Sequence, residues 1–269
     1  MISFIKTFLL LFACAPFYSL YANGQTVDSI PVPAVHFDKP AAVGVLRILS
    51  YNIRNGKGMD EKTDYNRIAD VIKMIHPDVV ALQELDSVTK RSNGVDVLKE
   101  LALNCGMKYV YGASIPYQGG KYGIGILSKE TPTKTSFIPL PGREEKRGLL
   151  MAEFENYIFF CTHFSLTESD RVASVQIINK NVEELHKRVF LAGDMNANPE
   201  SEAIKLLTEH WVNLSGQKTT FPSSGPKECI DYIWGINCCN FKYNILNQNV
   251  VPETMASDHC PVMVDVILK

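Results

Sequence analysis

Asn52, Glu84, His163, Asp194, Asn196, Asp231, Asp258 and His259 carry amides, carboxylates and imidazoles, the groups that hold hard cations and move protons, and they are scattered over a chain of 269 residues. They lie in short segments: Ser50-Tyr51-Asn52-Ile53-Arg54, Gln83-Glu84, Thr162-His163-Phe164, Gly193-Asp194-Met195-Asn196, Asp231-Tyr232-Ile233 and Ser257-Asp258-His259, with Tyr122-Gly123 as a further one. Most of these segments close an apolar run. Such a run ending in a polar residue reads as a strand that sets the polar side chain at the rim of a sheet, where open α/β architectures bind ligands. One pocket can therefore collect them all.

Taken singly, each residue has a bland reading beside the chemical one. Glu84 offers a hard oxygen ligand suited to Mg²⁺ or Mn²⁺, yet alone it is a Glu ending a strand in solvent. Asn52 can ligate through its carbonyl, hydrogen-bond a neighbour, or merely cap a turn before Gly56 and Gly58. Asp194 and Asn196 are two apart and point to the same side if the segment stays extended; an Asx-turn is the alternative, since Gly193, Asn196, Asn198 and Pro199 are turn formers. Arg54 with Asn55-Gly56-Lys57-Gly58 forms a small basic loop or a plain turn, and it lacks the Gly-Lys-Ser/Thr of a nucleotide-binding loop. Tyr122 either donates to a ligand or packs. Arg147 starts a strand and can face the pocket.

The elements that must position these side chains follow from periodicity. Residues 45–51 form a first strand, and a helix opens at Asp64, carries Ile68, Val71, Ile72 and Ile75 on one face and stops before Pro77. Val79-Val80-Ala81-Leu82 is a second, buried strand. A helix is expected over 95–104 and strands near Tyr109, 124–127, 149–154 and 157–161. A longer helix over 169–186 has its stripe on Val172, Val175, Ile178, Val182 and Leu185, and Val189-Phe190-Leu191 is the strand after it. A short helix over 201–209 and strands near Ile230, Phe241 and Val262 complete an α/β layered chain.

This set of segments in this order resembles the endonuclease/exonuclease/phosphatase superfamily, the metal-dependent phosphoesterases that include deoxyribonuclease I, sphingomyelinases and inositol-polyphosphate phosphatases. The resemblance runs from about Leu46 to Val266. Gly193-Asp194-Met195-Asn196 with a C-terminal Ser257-Asp258-His259 is specific only in combination. It implies a two-sheet α/β sandwich flanked by helices, with Glu84 as the main metal ligand, Asn52 beside the metal and Asp258 as a second ligand. It also implies that Asp194 positions and deprotonates the attacking water, assisted by Asn196, and that Asp231 pairs with His259 to keep the ring charged while its other nitrogen donates to a phosphoryl oxygen. His163 would be the second imidazole over the phosphate, and Arg54, Tyr122 and Arg147 substrate contacts. Tyr122-Gly123-Ile124-Gly125 departs from the common Tyr-Gly-Asn-Ala, so one Asn contact of some relatives is missing. Arg54 stands where the abasic-site endonuclease branch carries Asp, and His163 favours the deoxyribonuclease I and sphingomyelinase-like branches.

Before this domain, Lys6 is followed by an apolar stretch, Thr7 to Ala13, too short to span a bilayer, and by small residues around Ala22-Asn23. That is the pattern of an export signal over residues 1–22, with cleavage near Ala22 and no transmembrane segment left in the mature chain. Leu11-Phe12-Ala13-Cys14 partly resembles a lipobox, which makes a lipoprotein processed at Cys14 the second reading. Residues 23–44, with Pro31, Pro33 and Pro40, form an extended lead, and the domain occupies 45–269. Losing residues 1–22 removes Lys6 and no acid, so the formal net charge passes from −2 to −3. That excludes a general basic field of the kind that holds a long duplex. Six cysteines outside the leader show no paired CxxC spacing, against a structural zinc site. The expected substrate is a small phosphoester, a lipid head group or short nucleic acid, and a secreted nuclease is the alternative. A catalytically silent phospho-ligand module would tolerate loss of Glu84, Asp194, Asp231 or His259, and all are present.

Overall fold

Along β1 (Val45–Asn52), side chains alternate between two environments: Leu49 and Tyr51 join a core beneath two helices, whereas Leu46 and Ile48 join a second core between sheets. This two-residue period is what a strand buried on both faces requires. The same alternation recurs in β7 (Tyr157–His163), where Phe159 and Cys161 point to the intersheet core and Ile158 and Phe160 to a third core under another helix pair. The computed structural model describes residues 40–237 and 242–268. The leader and all but the last few residues of the lead lie outside the described residues, as does Phe241.

The remaining strands are β2 (Val79–Ser87), β3 (Lys108–Tyr117), β4 (Gly120–Ser128), β5 (Lys134–Leu140), β6 (Arg147–Glu153), β8 (Arg188–Asp194), β9 (Trp211–Asn213), β10 (Asp231–Ile236), β11 (Asn244–Val250) and β12 (Val262–Ile267). They form two six-stranded sheets, in the orders β11-β12-β1-β2-β4-β3 and β5-β6-β7-β8-β10-β9. In each sheet the central pair is parallel, β1 with β2 and β7 with β8, and the flanking pairs are antiparallel. A parallel pair needs a crossover, supplied by α1 (Tyr65–Ile75) in one sheet and α3 (Glu168–Val182) in the other. With α2 (Val97–Cys105) and α4 (Glu202–His210) these helices cover the outer faces. The result is the expected sandwich of two mixed sheets flanked by helices.

Local signals explain the helix limits. Asp64, Asp96 and Ser201 cap α1, α2 and α4, each accepting a backbone N–H from the first turn. His76 and Gly106 end α1 and α2 in left-handed conformation. The helix expected over 169–186 stops at Val182. Leu185 still packs on the same core from a turn, so the apolar spacing outlasts the helix. Two strands carried no readable pattern: β5 is half-exposed and includes Pro139, and β9 has three residues. No described helix is long and apolar enough to cross a membrane, and Cys105, Cys161, Cys229 and Cys260 are free.

Candidate active site

Asn52 and His163 are the last residues of β1 and β7, Asp194 is the last of β8 and Asp231 the first of β10. His163, Asp194 and Asp231 are in register on adjacent strands. All four continue the face that buries Ile48, Cys161, Ala192 and Ile233, so the two sheets aim them at one another at a single rim. Asn52 closes the gap: its Nδ2 donates to Asp194 Oδ2 of the opposite sheet at 3.0 Å and to Glu84 Oε1 at 3.1 Å.

Glu84 arrives by an irregularity. Leu82 and Leu85 both face the outer core although three positions apart, and the register against β4 slips between them. The extra residue is accommodated at Glu84, which adopts φ 62°. This bulge turns a side chain that strict alternation would bury under α1 and α2 toward the rim instead.

His259 comes from the loop before β12. Ser257 Oγ donates to Asn52 O at 2.7 Å, tying that loop to β1, and Cys260 N donates to Thr220 O at 2.8 Å, tying it to the loop before β10. His259 Nδ1 lies 2.9 Å from Asp231 Oδ2, which also accepts Thr220 Oγ1 at 2.6 Å, and Phe221 packs on the imidazole. Nε2 then faces Asp194 Oδ2 at 3.7 Å. His163 Nε2 approaches the same oxygen at 3.5 Å, while its Nδ1 meets Arg147 Nη1 at 3.2 Å.

Electrostatics separate the two rings. Burial disfavours charge on both, but for His259 the carboxylates of Asp231 and Asp194 outweigh it and raise the pKa to about 10. For His163, burial, Arg147 and His259 all act downward, and the ring is held neutral. Burial and the Asp231 charge push Asp194 up to about 7, against the opposing pull of His259. Glu84 is raised by burial and by Asp258, against its hydrogen bond from Asn52.

The donor set fits a hard cation. Among the described residues Glu84 has no ion-pair partner, and its second oxygen is uncommitted. Four carboxylates, Glu84, Asp194, Asp231 and Asp258, meet at a rim where the nearby cations are His259, Arg54 and an Arg147 already engaged by Glu144 and Glu145. Asp194, Asp231 and His259 also offer ligand atoms within 4.8 Å of one another. Asp231 Oδ2 and His259 Nδ1 are already hydrogen-bonded to each other, which leaves Glu84 as the freer carboxylate.

Other expected residues take different places. Asn196 does not continue an extended strand: it adopts φ 47°, its N–H donates to Asp194 Oδ1 at 2.9 Å, and its side chain donates to Phe164 O. The Asx-turn reading holds there, and it locks Asp194. Arg54 lies in a 3-10 turn, paired with Glu61 at 3.2 Å and with Asp258 at 3.5 Å. Tyr122 is buried beside Tyr117 under the guanidinium of Arg91, and burial followed by the Glu84 and Glu145 charges raises its pKa. Thr220, Glu144 and Glu145 had no sequence signal, lying in loops without periodicity.

The sequence profile of the Endonuclease/Exonuclease/phosphatase family matches residues 49–259. No curated protein matches the chain. Among solved structures, the chain is similar to an endonuclease/exonuclease/phosphatase from Bacteroides vulgatus at 19% identity and TM-score 0.69, over 84% of this chain and 99% of that one. An endonuclease/exonuclease/phosphatase from Beutenbergia cavernae is 21% identical with TM-score 0.65, covering 83% and 71%. A mannosyl-6-phosphatase from Bacteroides thetaiotaomicron is 16% identical with TM-score 0.67, covering 82% and 99%. With the profile matching residues 49–259, the chain belongs to the endonuclease/exonuclease/phosphatase family, whose members are generally hydrolases of phosphoesters that depend on divalent metal ions.

Proposed function

We propose that this chain is an exported, Mg²⁺- or Mn²⁺-dependent phosphoesterase, a phosphodiesterase or phosphatase, acting on a small phosphoester. One observation carries the reading: Asn52 bridges Glu84 and Asp194 across the two sheets while His163 and His259 both present Nε2 to Asp194. Glu84 would hold the metal ion with Asp258; Asn52 orients Glu84 through Nδ2 and does not offer its carbonyl, because Oδ1 accepts the Arg54 N–H at 3.0 Å. When bound, that ion supplies positive charge to the phosphoryl oxygens.

The rest is work for the chain's own groups. Asp194, buried and raised toward neutrality, takes a proton from the attacking water at Oδ2. Its Oδ1 is fixed by the Asn196 N–H, which sets the direction of attack. His259, charged because Asp231 sits behind it, donates from Nε2 to a phosphoryl or leaving oxygen. His163 provides a second, neutral N–H donor beside it.

The test is turnover on a panel of soluble phosphodiester, phosphomonoester, including a sugar phosphate, DNA and sphingomyelin, with Mg²⁺, with Mn²⁺ and with excess chelator. Metal-dependent turnover of a small ester is expected; full turnover in chelator overturns the reading, and preference for DNA promotes a nuclease. Export is supported by Lys6 and the apolar stretch after it. Intact mass of the secreted protein tests it, with a mature end near Ala22 expected and lipidation at Cys14 the competing outcome.

A further inference from the structure

His163 and His259 aim Nε2 at the same Asp194 oxygen, but the groups behind their Nδ1 atoms are of opposite kind. Behind His259 stands the carboxylate of Asp231, and behind His163 stands the guanidinium of Arg147, 3.2 Å away. A guanidinium has five donors and no acceptor. The Nδ1 of His163 must therefore offer its lone pair, and the ring proton resides on Nε2.

Arg147 is itself held. It is 7% exposed, donates from Nη1 to Glu145 Oε1 at 2.9 Å and approaches Glu144 Oε1 from Nη2 at 3.5 Å. Glu144 in turn accepts Leu166 N at 2.7 Å and Ser165 Oγ at 2.9 Å, just beyond the end of the strand that carries His163. The loop before β6 and the loop after β7 are thus laced together around the Arg147–His163 contact.

We infer that Arg147 is a positioning residue, held by Glu144 and Glu145, that fixes His163 as the Nε2–H tautomer facing the phosphoester, and that it is not itself a phosphate ligand. The inference rests on the rim being the phosphoester site. It also gives the paired imidazoles separate duties. A second imidazolium at the same place would repel the first and draw the negative charge that Asp194 needs as a base.

The experiment is nitrogen-15 NMR of the histidine rings in the full chain, with His163 assigned by loss of its signal in His163→Gln, alongside kinetics of Arg147→Met and Arg147→Lys. Wild type should show an unprotonated Nδ1 and protonated Nε2 at neutral pH. Arg147→Met should lose that pattern and about tenfold or more in kcat, with KM within about twofold, because a misaimed donor acts in the transition state. Arg147→Lys keeps a donor and should restore the tautomer and much of kcat. An unchanged tautomer in Arg147→Met overturns the inference, as does a raised KM and weakened inhibition by inorganic phosphate with kcat intact. If Arg147→Met does not fold, Glu145→Gln carries the same comparison: a shifted His163 pattern supports the role and an unshifted one with unchanged kcat overturns it. The NMR readout needs no turnover. An inactive wild type would therefore refute the phosphoester reading alone, whereas an active enzyme with an indifferent tautomer would refute only the role of Arg147.

Discussion

Asn52 Nδ2 links the carboxylate assigned to the metal and the carboxylate assigned to the water, and each proposed role needs the carboxylate charge. Glu84→Gln preserves size and removes the ligand charge, so metal-dependent kcat should fall by about 10²-fold or more. Asp194→Asn and His259→Ala should each lose about 10²-fold in kcat while thermal unfolding stays cooperative. Folded variants with near wild-type rates would remove these assignments. A second expectation follows from the raised pKa of His259, from 6.5 to about 10. The folded state keeps a proton that the unfolded chain releases, so this contribution is complete below pH 6.5 and is lost as pH rises toward about 10. In chelator, the Tm difference between wild type and His259→Ala should shrink over that window. A difference that stays flat or grows would show that the Asp231–His259 pair does not hold charge.

At the scale of elements, the site depends on how closely β7 and β8 approach. A Cβ on Gly193 would fall inside the carbonyl of Thr162 on the neighbouring strand, and backbone cannot move aside as a side-chain tip can. Gly193→Ala should cost about 1–3 kcal/mol of stability through overpacking and, because Asp194 is the next residue, lower kcat as well. Thermal unfolding with parallel kinetics checks both; an unaffected rate would mean that Asp194 tolerates a shifted strand. The bulge in β2 is the second such device, since only the extra residue at Glu84 lets a strand bury Leu82 and Leu85 on one face and still send a carboxylate to the rim.

Viewed as a whole, the molecule repeats one arrangement: a central parallel pair joined over a helix in each sheet, with Asn52 and Glu84 at the end of one pair and His163 and Asp194 at the end of the other. The carboxyl ends of parallel strands are where α/β sheets place ligands, and here two such ends meet at one rim. The formal net charge of −2 bears on what that substrate is. A long duplex would require several phosphates to be neutralised, and binding would then fall steeply with salt. kcat/KM on a small soluble phosphodiester should instead depend weakly on ionic strength, with duplex DNA a poor substrate. Efficient plasmid degradation that moderate salt abolishes would reverse this.

What the sequence determined by itself was the ordered set of strand-end polar residues and, through strand and helix periods, the layered α/β class. These are local properties: Asn52, His163 and Asp194 each close an apolar run that reads as a strand, which puts the polar side chain at a rim. The Asp64 cap and Pro77 were equally legible, because capping and helix breaking act within one turn. Tertiary structure alone decided the rest. Nothing in residues 79–87 announces that Glu84 sits in a bulge, since that conformation is stable only with β4 in register beside it. The Asx-turn, in which Asp194 Oδ1 accepts the Asn196 N–H, was one of two local options until Phe164 O accepted the Asn196 side chain and fixed it. Arg147, Glu144 and Thr220 acquire meaning only through partners far along the chain or in irregular loops, where no period exists to read. Long-range contacts cost chain entropy that only the assembled sandwich repays, and so, whereas the motif resemblance already paired Asp231 with His259, the partner of His163, Arg147, was fixed by the fold and not by the residues flanking that histidine.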